Sequence, residues 1–516
     1  MINANGIRFS TAILVLFPVM AANAGVPLAH CRKNDKTESG LQGETTTAEV
    51  ASGKNKVGFN CNVDLVGQYQ GEGASWQLTA WKNCAYFDQR KGSNLAHPGT
   101  VAVDVTDPAH PVATAWLDDA AMLDPWESLK INPARQLLAG DQGTYGSPGQ
   151  GFAVYDVSGD CKHPVKKSFV NIPASLGHTG QWAPDGKTYY ITTIAQTQAA
   201  MVAVDVTDPT NPTQLLAYTA PAGINPVYHD LEFSKDGNTA YVTAIGGLGG
   251  PNKNGLIIFD VSDVQSRKTN AQVRILGQFY WDDGSVVAQN ALPVTIAGKP
   301  YIVFTDEAGV ASIGGSCVAG KAGQGYPHIL DISDPKNPKL AASVQMDVAD
   351  VASCQQSLAL KMTSGPTQTF GYSCHYCAVD DPDDAKTLAC NCFAAGLRIF
   401  DISNVKAIRE IGYYKPPAQG AKALPGSQYA NFNAPTFDRP IDWASSKPSF
   451  PKDRGMTTGD LWTTSQDNGF MVVKLDANAR ATSGSGCASA DGSLGGMLVL
   501  AVMEILRRRR ARASRS

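Results

Sequence analysis

One strand pattern recurs seven times along this chain of 516 residues, and it constrains the fold more than any other feature. Each copy is an apolar run that ends in Asp, except the last, where Lys474 takes that position. A unit repeated at this spacing indicates a propeller, a solenoid or an array. The copies lie at 100–107, 151–159, 201–208, 255–263, 327–334, 396–404 and 469–476.

The segments around the repeated strand supply three more strands per unit. Turns of the type DPTNP (208–212) follow several copies, and each leads into a short strand. Asp-Gly pairs at 185–186 and 236–237 lie between alternating segments, which is typical of a hairpin. Four strands per unit match a propeller blade. We therefore predict an all-β fold, a seven-bladed β-propeller of four-stranded blades.

The two ends of the repeat region indicate how the ring closes. Segment 63–70 has the pattern of an outer strand but precedes the first repeat, whereas no outer strand follows the last repeat. We predict that 63–70 completes the seventh blade, which leaves no exposed edge. The propeller domain would span 61–476, after an N-terminal extension at 25–60. An open array with free ends is the alternative.

The repeated strand and its turn resemble a known family. GLRIFDISN (396–404) and VAVDVTDP (101–108 and 202–209) are similar to the LVIVD repeat of bacterial surface and secreted β-propellers. The resemblance covers roughly residues 60–476. It implies the propeller fold and no single chemistry, so it names neither a substrate nor a ligand.

The N-terminus has the pattern of a secretory signal peptide at 1–24. Arg8 precedes an apolar stretch at 11–20, and Ala22-Asn23-Ala24 offers a cleavage site after Ala24. Ten of the eleven cysteines lie between this site and the tail, which predicts up to five disulfides whose pairing stays open. We expect an exported protein at the cell surface, in the outer membrane or in the extracellular space. The net charge of −3 does not favour nucleic acid as a partner.

The last forty residues differ from the repeat region. A small polar segment at 477–493, predicted to be a flexible linker, precedes an apolar stretch at 494–506 and an arginine-rich end. The apolar and arginine-rich part, 494–516, resembles bacterial C-terminal sorting tails of the myxobacterial type. That resemblance implies processing or anchoring at Cys487 and a transient membrane contact through the tail. A disordered basic tail is the alternative.

Two histidines occupy equivalent places in neighbouring units. His178 and His229 each stand seven residues before the Asp of an Asp-Gly pair, and aligning 132–136 on 183–187 puts Glu127 at the same place. Asn290 and His375 fall close to this register. The innermost strands of a propeller line a central channel, so these side chains could bind a divalent metal or act as acid and base. Alternatively, they cap strand ends or form hydrogen bonds between blades.

A second cluster consists of cysteines. The segments SCHYC (373–377) and ACNC (389–392) have spacings that fit either a zinc site or disulfides, and an oxidising compartment favours disulfides. The acidic run between them, DDPDD (380–384), is predicted to be a solvated turn. The chain has no phosphate-binding Gly-rich motif and no GxSxG motif, which excludes the usual signatures of P-loop enzymes and α/β-hydrolases.

The spacing of the repeats suggests where function lies. Units in the second half are longer by roughly twenty residues, and long loops on a rigid scaffold commonly carry function. The leading hypothesis is a binding or scaffold module whose surface ligand, a protein, glycan or small molecule, contacts the loops of blades five to seven. The alternatives are a metal-dependent enzyme at the channel mouth, with His178, His229 and Glu127 as ligands, and a structural envelope protein.

Overall fold

The computed structural model describes most of the region between the predicted signal peptide and the tail. The described residues are 25–89, 96–143, 150–175, 177–194, 199–246, 252–309, 317–359, 370–419 and 441–482. The predicted signal peptide, Ala24, most of the linker, Cys487 and the arginine-rich end lie outside these residues.

The described chain is built from short antiparallel strands, which form seven sheets. The strands are β1 (Phe59–Cys61), β2 (Val63–Tyr69), β3 (Leu78–Trp81), β4 (Cys84–Asp88), β5 (Thr100–Asp104), β6 (Val112–Leu117), β7 (Lys130–Asn132), β8 (Leu137–Asp141), β9 (Gln150–Asp156), β10 (Val165–Ile172), β11 (Thr179–Trp182), β12 (Thr188–Thr192), β13 (Met201–Asp205), β14 (Thr213–Tyr218), β15 (Tyr228–Phe233), β16 (Thr239–Ala244), β17 (Asn254–Asp260), β18 (Arg274–Trp281), β19 (Ser285–Ile296), β20 (Lys299–Gly309), β21 (His328–Asp331), β22 (Lys339–Ser343), β23 (Tyr376–Val379), β24 (Thr387–Asn391), β25 (Leu397–Asp401), β26 (Arg409–Lys415), β27 (Leu461–Ser465) and β28 (Gly469–Leu475).

Helices in the described chain are short connectors. The α-helices are Thr47–Ala51, Ala120–Leu123, Ser262–Gln265, Cys354–Ala359 and Ala479–Thr482, and the 3-10 turns are Lys54–Lys56, Asp347–Ala349, Val351–Ser353 and Pro451–Arg454. Within the described ranges, none of these helices has the length and apolar character needed to cross a membrane.

The predicted seven-bladed propeller is confirmed. Blades 1 to 5 are the four-stranded sheets β3–β6, β7–β10, β11–β14, β15–β18 and β19–β22. Blade 6 is β23–β26 with β1 as a fifth, outermost strand, and blade 7 pairs β27 and β28 with β2. The segment before β27 takes the inner place of blade 7, where Ser449 forms a bridge with Trp462 of β27 and the Trp443 carbonyl accepts the backbone N–H of Gln466.

Ring closure occurs as the sequence predicts. Strand β2 pairs antiparallel with β28, so that Val63 lies opposite Leu475 and Tyr69 lies opposite Phe470. A polypeptide segment near the start therefore completes the last blade. This pairing covers the edge that an open array would expose.

The core consists of apolar layers between successive blades. Seven buried clusters fill the seven blade interfaces, including the one between blades 7 and 1, where Phe470 and Val472 pack with Phe87 and Val101. The repeated strand, third from the axis, contributes to these layers from both faces, which explains its unbroken apolar run.

The N-terminal extension is anchored to blade 6 by a buried ion cluster. The Arg398 guanidinium donates to Glu38 Oε2 at 2.6 Å and to Glu410 Oε1 at 2.8 Å, and its charge lies over the Tyr413 ring at 4.4 Å. Arg398 and Glu410 are completely buried. The disulfide Cys31–Cys61 adds a covalent link between the extension and β1.

The described cysteines form five disulfides, which fits an oxidising compartment. The pairs are Cys31–Cys61, Cys84–Cys161, Cys317–Cys354, Cys374–Cys392 and Cys377–Cys390. The SCHYC and ACNC segments thus hold two disulfides rather than a zinc ion. The Cys377–Cys390 disulfide links β23 to β24, and the Cys374–Cys392 disulfide links residues that flank the same two strands, so both brace an inner strand pair rather than a long loop.

Candidate metal centre on the propeller axis

The structure brings the three residues singled out by repeat alignment to one place on the axis. Glu127 and His178 lie just before the inner strands β7 and β11, and His229 lies in β15. The backbone N–H of Glu127 donates to the His178 carbonyl at 3.2 Å, which fixes the register between blades 2 and 3. All three side chains are buried, with at most 3% of each residue exposed.

Their donor atoms converge. One ligand atom from each of Glu127, His178 and His229 lies within 4.8 Å of the other two. The Nε2 atoms of His178 and His229 are 2.9 Å apart, and Glu127 Oε2 lies 3.7 Å from His229 Nε2. Two imidazole nitrogens at 2.9 Å must share a proton or a cation, because two lone pairs facing each other repel.

Two further residues extend this cluster. His375 Nε2 lies 3.3 Å from Glu127 Oε1 and 3.2 Å from Glu307 Oε2. Glu307 Oε1 is also 3.8 Å from His229 Nε2. The axial cluster is therefore Glu127, His178, His229, Glu307 and His375, contributed by blades 2 to 6. The sequence alignment placed His375 near this register, and the structure confirms that position.

Blade 5 contributes Gln289 to the axis instead of the expected Asn290. A bulge between Ala288 and Asn290 in the pairing of β19 with β20 shifts the register by one residue. Gln289 Nε2 consequently donates to Glu127 Oε2 at 2.9 Å. The Asn290 side chain instead donates to Asp230 Oδ2 at 2.9 Å.

Neighbouring groups orient the cluster. The Tyr376 hydroxyl donates to Glu127 Oε2 at 3.0 Å. His375 Nδ1 contacts the Ser445 carbonyl, an acceptor, which fixes the proton on Nδ1 and leaves Nε2 directed at the two glutamates. The disulfides at Cys374 and Cys377 bracket His375 and Tyr376, so the strand that carries both side chains is tied to its neighbour.

Burial and charge set different protonation states within the cluster. Burial lowers the pKa of His178 to about 4 and lowers the pKa of His229 well below 6.5, so both imidazoles are neutral at pH 7. Burial also disfavours the charged form of His375, but the carboxylates of Glu127 and Glu307 raise its pKa to about 10. Burial opposes ionisation of Glu127, yet the adjacent imidazoles hold the pKa of that carboxyl well below 4.5.

Aromatic rings pack against the cluster. The Trp126 ring centroid lies 5.6 Å from that of His178, and Trp76 lies 5.4 Å from His375. Trp76 in turn contacts Trp126 at 5.8 Å and Phe393 at 6.3 Å. These rings place apolar surface beside the cluster, and a low local dielectric strengthens the electrostatic interactions among its charges.

The structure describes the predicted acidic turn but not the predicted processing sites or all of the long loops. The DDPDD run lies at the surface, and the Asp380 carboxylate there accepts the backbone N–H groups of Lys386 and Thr387, as a turn would. The processing sites Ala24 and Cys487 are outside the described residues, as are parts of the long loops of blades 5 to 7, at 310–316, 360–369 and 420–440. Glu307 and Gln289 were not singled out from the sequence.

Comparisons with solved structures find matches of low similarity. A functionally unknown protein from Desulfotomaculum acetoxidans is 12% identical, with 68% of this chain and 87% of that chain covered at a TM-score of 0.44. A periplasmic gluconolactonase from Pseudomonas aeruginosa is 12% identical, with 69% and 83% covered at 0.43. Hydrazine synthase from Kuenenia stuttgartiensis is 13% identical, with 80% and 96% covered at 0.45. Likeness at this level carries no inference about activity.

Sequence comparisons identify the repeat. No curated protein matches the chain. The family model of the LVIVD repeat matches residues 321–346, which contain β21 and β22 of blade 5. Together with the seven-bladed fold, this match supports the predicted resemblance: the chain carries an LVIVD repeat within a β-propeller.

Proposed function

We propose that this protein is a metalloenzyme that holds a divalent transition-metal ion on the propeller axis, with Glu127, His178 and His229 as ligands. The observation that carries the proposal is the convergence of these three donor atoms within 4.8 Å in a buried site. Two imidazoles and one carboxylate form a donor set that suits zinc, iron, manganese or copper.

The charges of the cluster fit a cation. Neutral His178 and His229 present nitrogen lone pairs, as a metal requires, and Glu127 supplies a negative charge. The hydrogen bonds from Tyr376 and Gln289 hold the Glu127 carboxylate in place, in the manner of outer groups that orient metal ligands.

The fold does not depend on the axial cluster, and this favours a catalytic role for the metal ion over a structural one. Each blade interface has its own apolar core, and the ring is closed by the pairing of β2 with β28. The axial cluster is thus not needed to hold the blades together. His375 and Glu307, 3.2 Å apart beside the three donors, would contact a reacting group bound there as hydrogen-bond donor and acceptor.

Export belongs to the same proposal. The five disulfides support an oxidising compartment, and the signal-like N-terminus supports secretion. Attachment at the cell surface through Cys487 stays a prediction. The binding-module hypothesis concerns the long loops of blades 5 to 7, whereas the convergence of the axial donor atoms supports the enzyme.

Metal analysis tests the proposal directly. Protein purified after growth with zinc, iron, manganese and copper should contain about one equivalent of metal, which His229→Ala and His178→Ala lose. His163→Ala is the matched control, because the side chain of His163 is 63% exposed and lies outside the cluster. Absence of metal from the wild-type protein, or full retention in both axial variants, would contradict the proposal.

A second measurement separates a catalytic ion from a structural one. A catalytic site keeps an open coordination position, whereas a structural site is closed. Azide added to the cobalt-substituted protein should therefore change its visible absorption spectrum. An unchanged spectrum at saturating azide would assign the ion a structural role.

A further inference from the structure

Five aromatic side chains form a continuous group beside the axial cluster. In order of contact, this aromatic group consists of Trp126, Trp76, Phe370, Phe393 and Trp443, whose successive ring centroids are 4.8 to 5.9 Å apart. The group touches the axial cluster at two places. The Trp126 ring lies 5.6 Å from that of His178, and the Phe393 ring lies 4.9 Å from that of His375.

The aromatic group lies at the end of the channel where the inner strands begin. Trp76, Trp126 and Phe370 each precede an inner strand, β3, β7 and β23 respectively. The inner segments of blades 2 and 3 run parallel, as the bridge between Glu127 and Thr179 shows. Trp126 and Phe370 are partly exposed, whereas the other three side chains are buried. These two rings therefore form the solvent-facing rim of the group.

The opposite end of the channel offers little room. Lys447, in the inner segment of blade 7, forms an ion pair at 3.2 Å with Glu232 on β15 of blade 4. Blades 4 and 7 lie nearly opposite each other in a ring of seven, so this pair crosses the channel. The cavity beside Lys447 has a volume of about 130 Å³. Small-molecule sites typically measure about 300–1,000 Å³, so a substrate reaches the axial cluster past the aromatic group.

The backbone of the aromatic group is strained. Trp126, Phe370 and Phe393 have φ angles of 50°, 71° and 36°, in the left-handed region. Within the described ranges, every aromatic residue with a positive φ belongs to this group. Such a conformation is unfavourable for a bulky side chain, and strain of this kind clusters at active sites and ligand clamps. Packing of a hydrophobic core does not require it, so the placement of these rings indicates a binding role.

The chemistry of the surroundings distinguishes between two kinds of ligand. Aromatic walls bind planar apolar groups by stacking, and they also bind quaternary ammonium groups. A divalent ion at the axial cluster would repel an ammonium group, and so would the positively charged imidazole of His375. A planar apolar group meets no such repulsion.

We propose that the substrate of the axial site is a small molecule with an aromatic or other planar apolar group, which packs against Trp126 and Phe370 while its reacting group faces the axial cluster. This inference rests on the proposed function, because it takes the axial cluster as the place of reaction. It adds the class of substrate and the end of the channel through which the substrate enters.

Two hydroxamates, one with a ring and one without, test the proposal on the metal-loaded protein, because a hydroxamate chelates a divalent ion through its two oxygens. In calorimetric titration, the wild-type protein should bind benzohydroxamate at least about tenfold more tightly than acetohydroxamate. Trp126→Ala should lower this ratio to about threefold or less and leave the affinity for acetohydroxamate unchanged. Trp116→Ala is the matched control, because Trp116 is 36% exposed on β6, the outer strand of blade 1.

Three results would overturn the proposal. They are equal affinities of the wild-type protein for the two hydroxamates, the wild-type ratio in Trp126→Ala, and a loss of acetohydroxamate binding in that variant as large as the loss of benzohydroxamate binding. Trp126→Phe keeps a ring at this position and should retain most of the preference, which separates loss of the ring from a folding defect.

Benzamide and acetamide extend the test to the metal-free protein, because neither needs a metal ion to bind. Benzamide should bind at least about threefold more tightly than acetamide, and Trp126→Ala should remove the difference. Equal binding of the two amides, or tighter binding of choline than of benzamide, would refute the aromatic site even where metal analysis supports the axial ion. A preference for benzamide in a protein that binds no metal would refute the metal site alone.

Discussion

Replacing Gly67 by alanine, which adds one methyl group, tests whether the ring closes as described. Gly67 lies on β2, and a Cβ added at this position would be 2.2 Å from the Pro108 carbonyl oxygen and 2.7 Å from the Ala109 carbonyl. Both contacts are with backbone atoms of the turn in blade 1. Gly277 on β18 has the same relation to blade 5, with Cβ 2.0 Å from the Pro335 oxygen. The contact between blades 7 and 1, which closes the ring, therefore has the same geometry as the contact between blades 4 and 5.

The expected change in the free energy of unfolding follows from two opposing effects. Overpacking a close backbone contact costs about 1–3 kcal/mol, whereas replacing Gly by Ala reduces the entropy of the unfolded chain and returns at most about 1 kcal/mol. Gly67→Ala should therefore lower the free energy of unfolding by about 1–2 kcal/mol, and Gly277→Ala by a similar amount.

Urea unfolding followed by tryptophan fluorescence, with the disulfides intact, measures both effects. Gly159→Ala is the control, because nothing lies within 4 Å of a Cβ at that position, and it should stay within about 0.5 kcal/mol of the wild-type protein. If Gly67→Ala were as stable as the wild-type protein while Gly277→Ala was destabilised, blades 7 and 1 would not be packed as described.

Two further predictions concern buried charges. Arg398→Met leaves the Glu38 and Glu410 carboxylates buried without their main partner and should lower the free energy of unfolding at pH 7 by about 3–5 kcal/mol; a loss under 1 kcal/mol in urea unfolding would contradict the account. Burial raises the pKa of Asp306 to about 6 from 3.8, so its contribution to stability is present below pH 3.8 and is lost as the pH rises through 6. Asp306→Asn should therefore gain stability relative to the wild-type protein between pH 4 and 7, by up to about 3 kcal/mol, and a pH-independent difference would refute this assignment.

The sequence predicted the architecture because the repeat carries it. The apolar strand recurs in every blade, and Asp follows it in the first six, because each copy packs in two blade interfaces. The early segment at 63–70 has the pattern of an outer strand but no blade of its own in the sequence around it. The convergence of Glu127, His178 and His229 could be predicted for the same reason, because equivalent positions of a closed ring lie near its axis; their role as metal ligands stays a prediction.

Other parts of the site follow from features that a repeat alignment does not contain. Asn290 was expected on the axis, but the bulge in blade 5 puts Gln289 there. Glu307 comes from β20, a second strand, so it has no counterpart at the aligned positions.

The disulfide pairing was left open by the sequence because the cysteine order allows many connectivities. The structure resolves it through strand register: Cys377 and Cys390 are direct cross-strand partners of β23 and β24. That register also explains why these cysteines stand beside His375 and Tyr376 rather than in a surface loop.

A crystal structure of the metal-loaded protein, with anomalous diffraction recorded at the absorption edge of the bound element, tests the central claim most directly. The account predicts one anomalous peak on the axis, bonded to Glu127, His178 and His229 at roughly 2.0–2.2 Å. A peak only at surface histidines, or none on the axis after incubation with each metal, would contradict it.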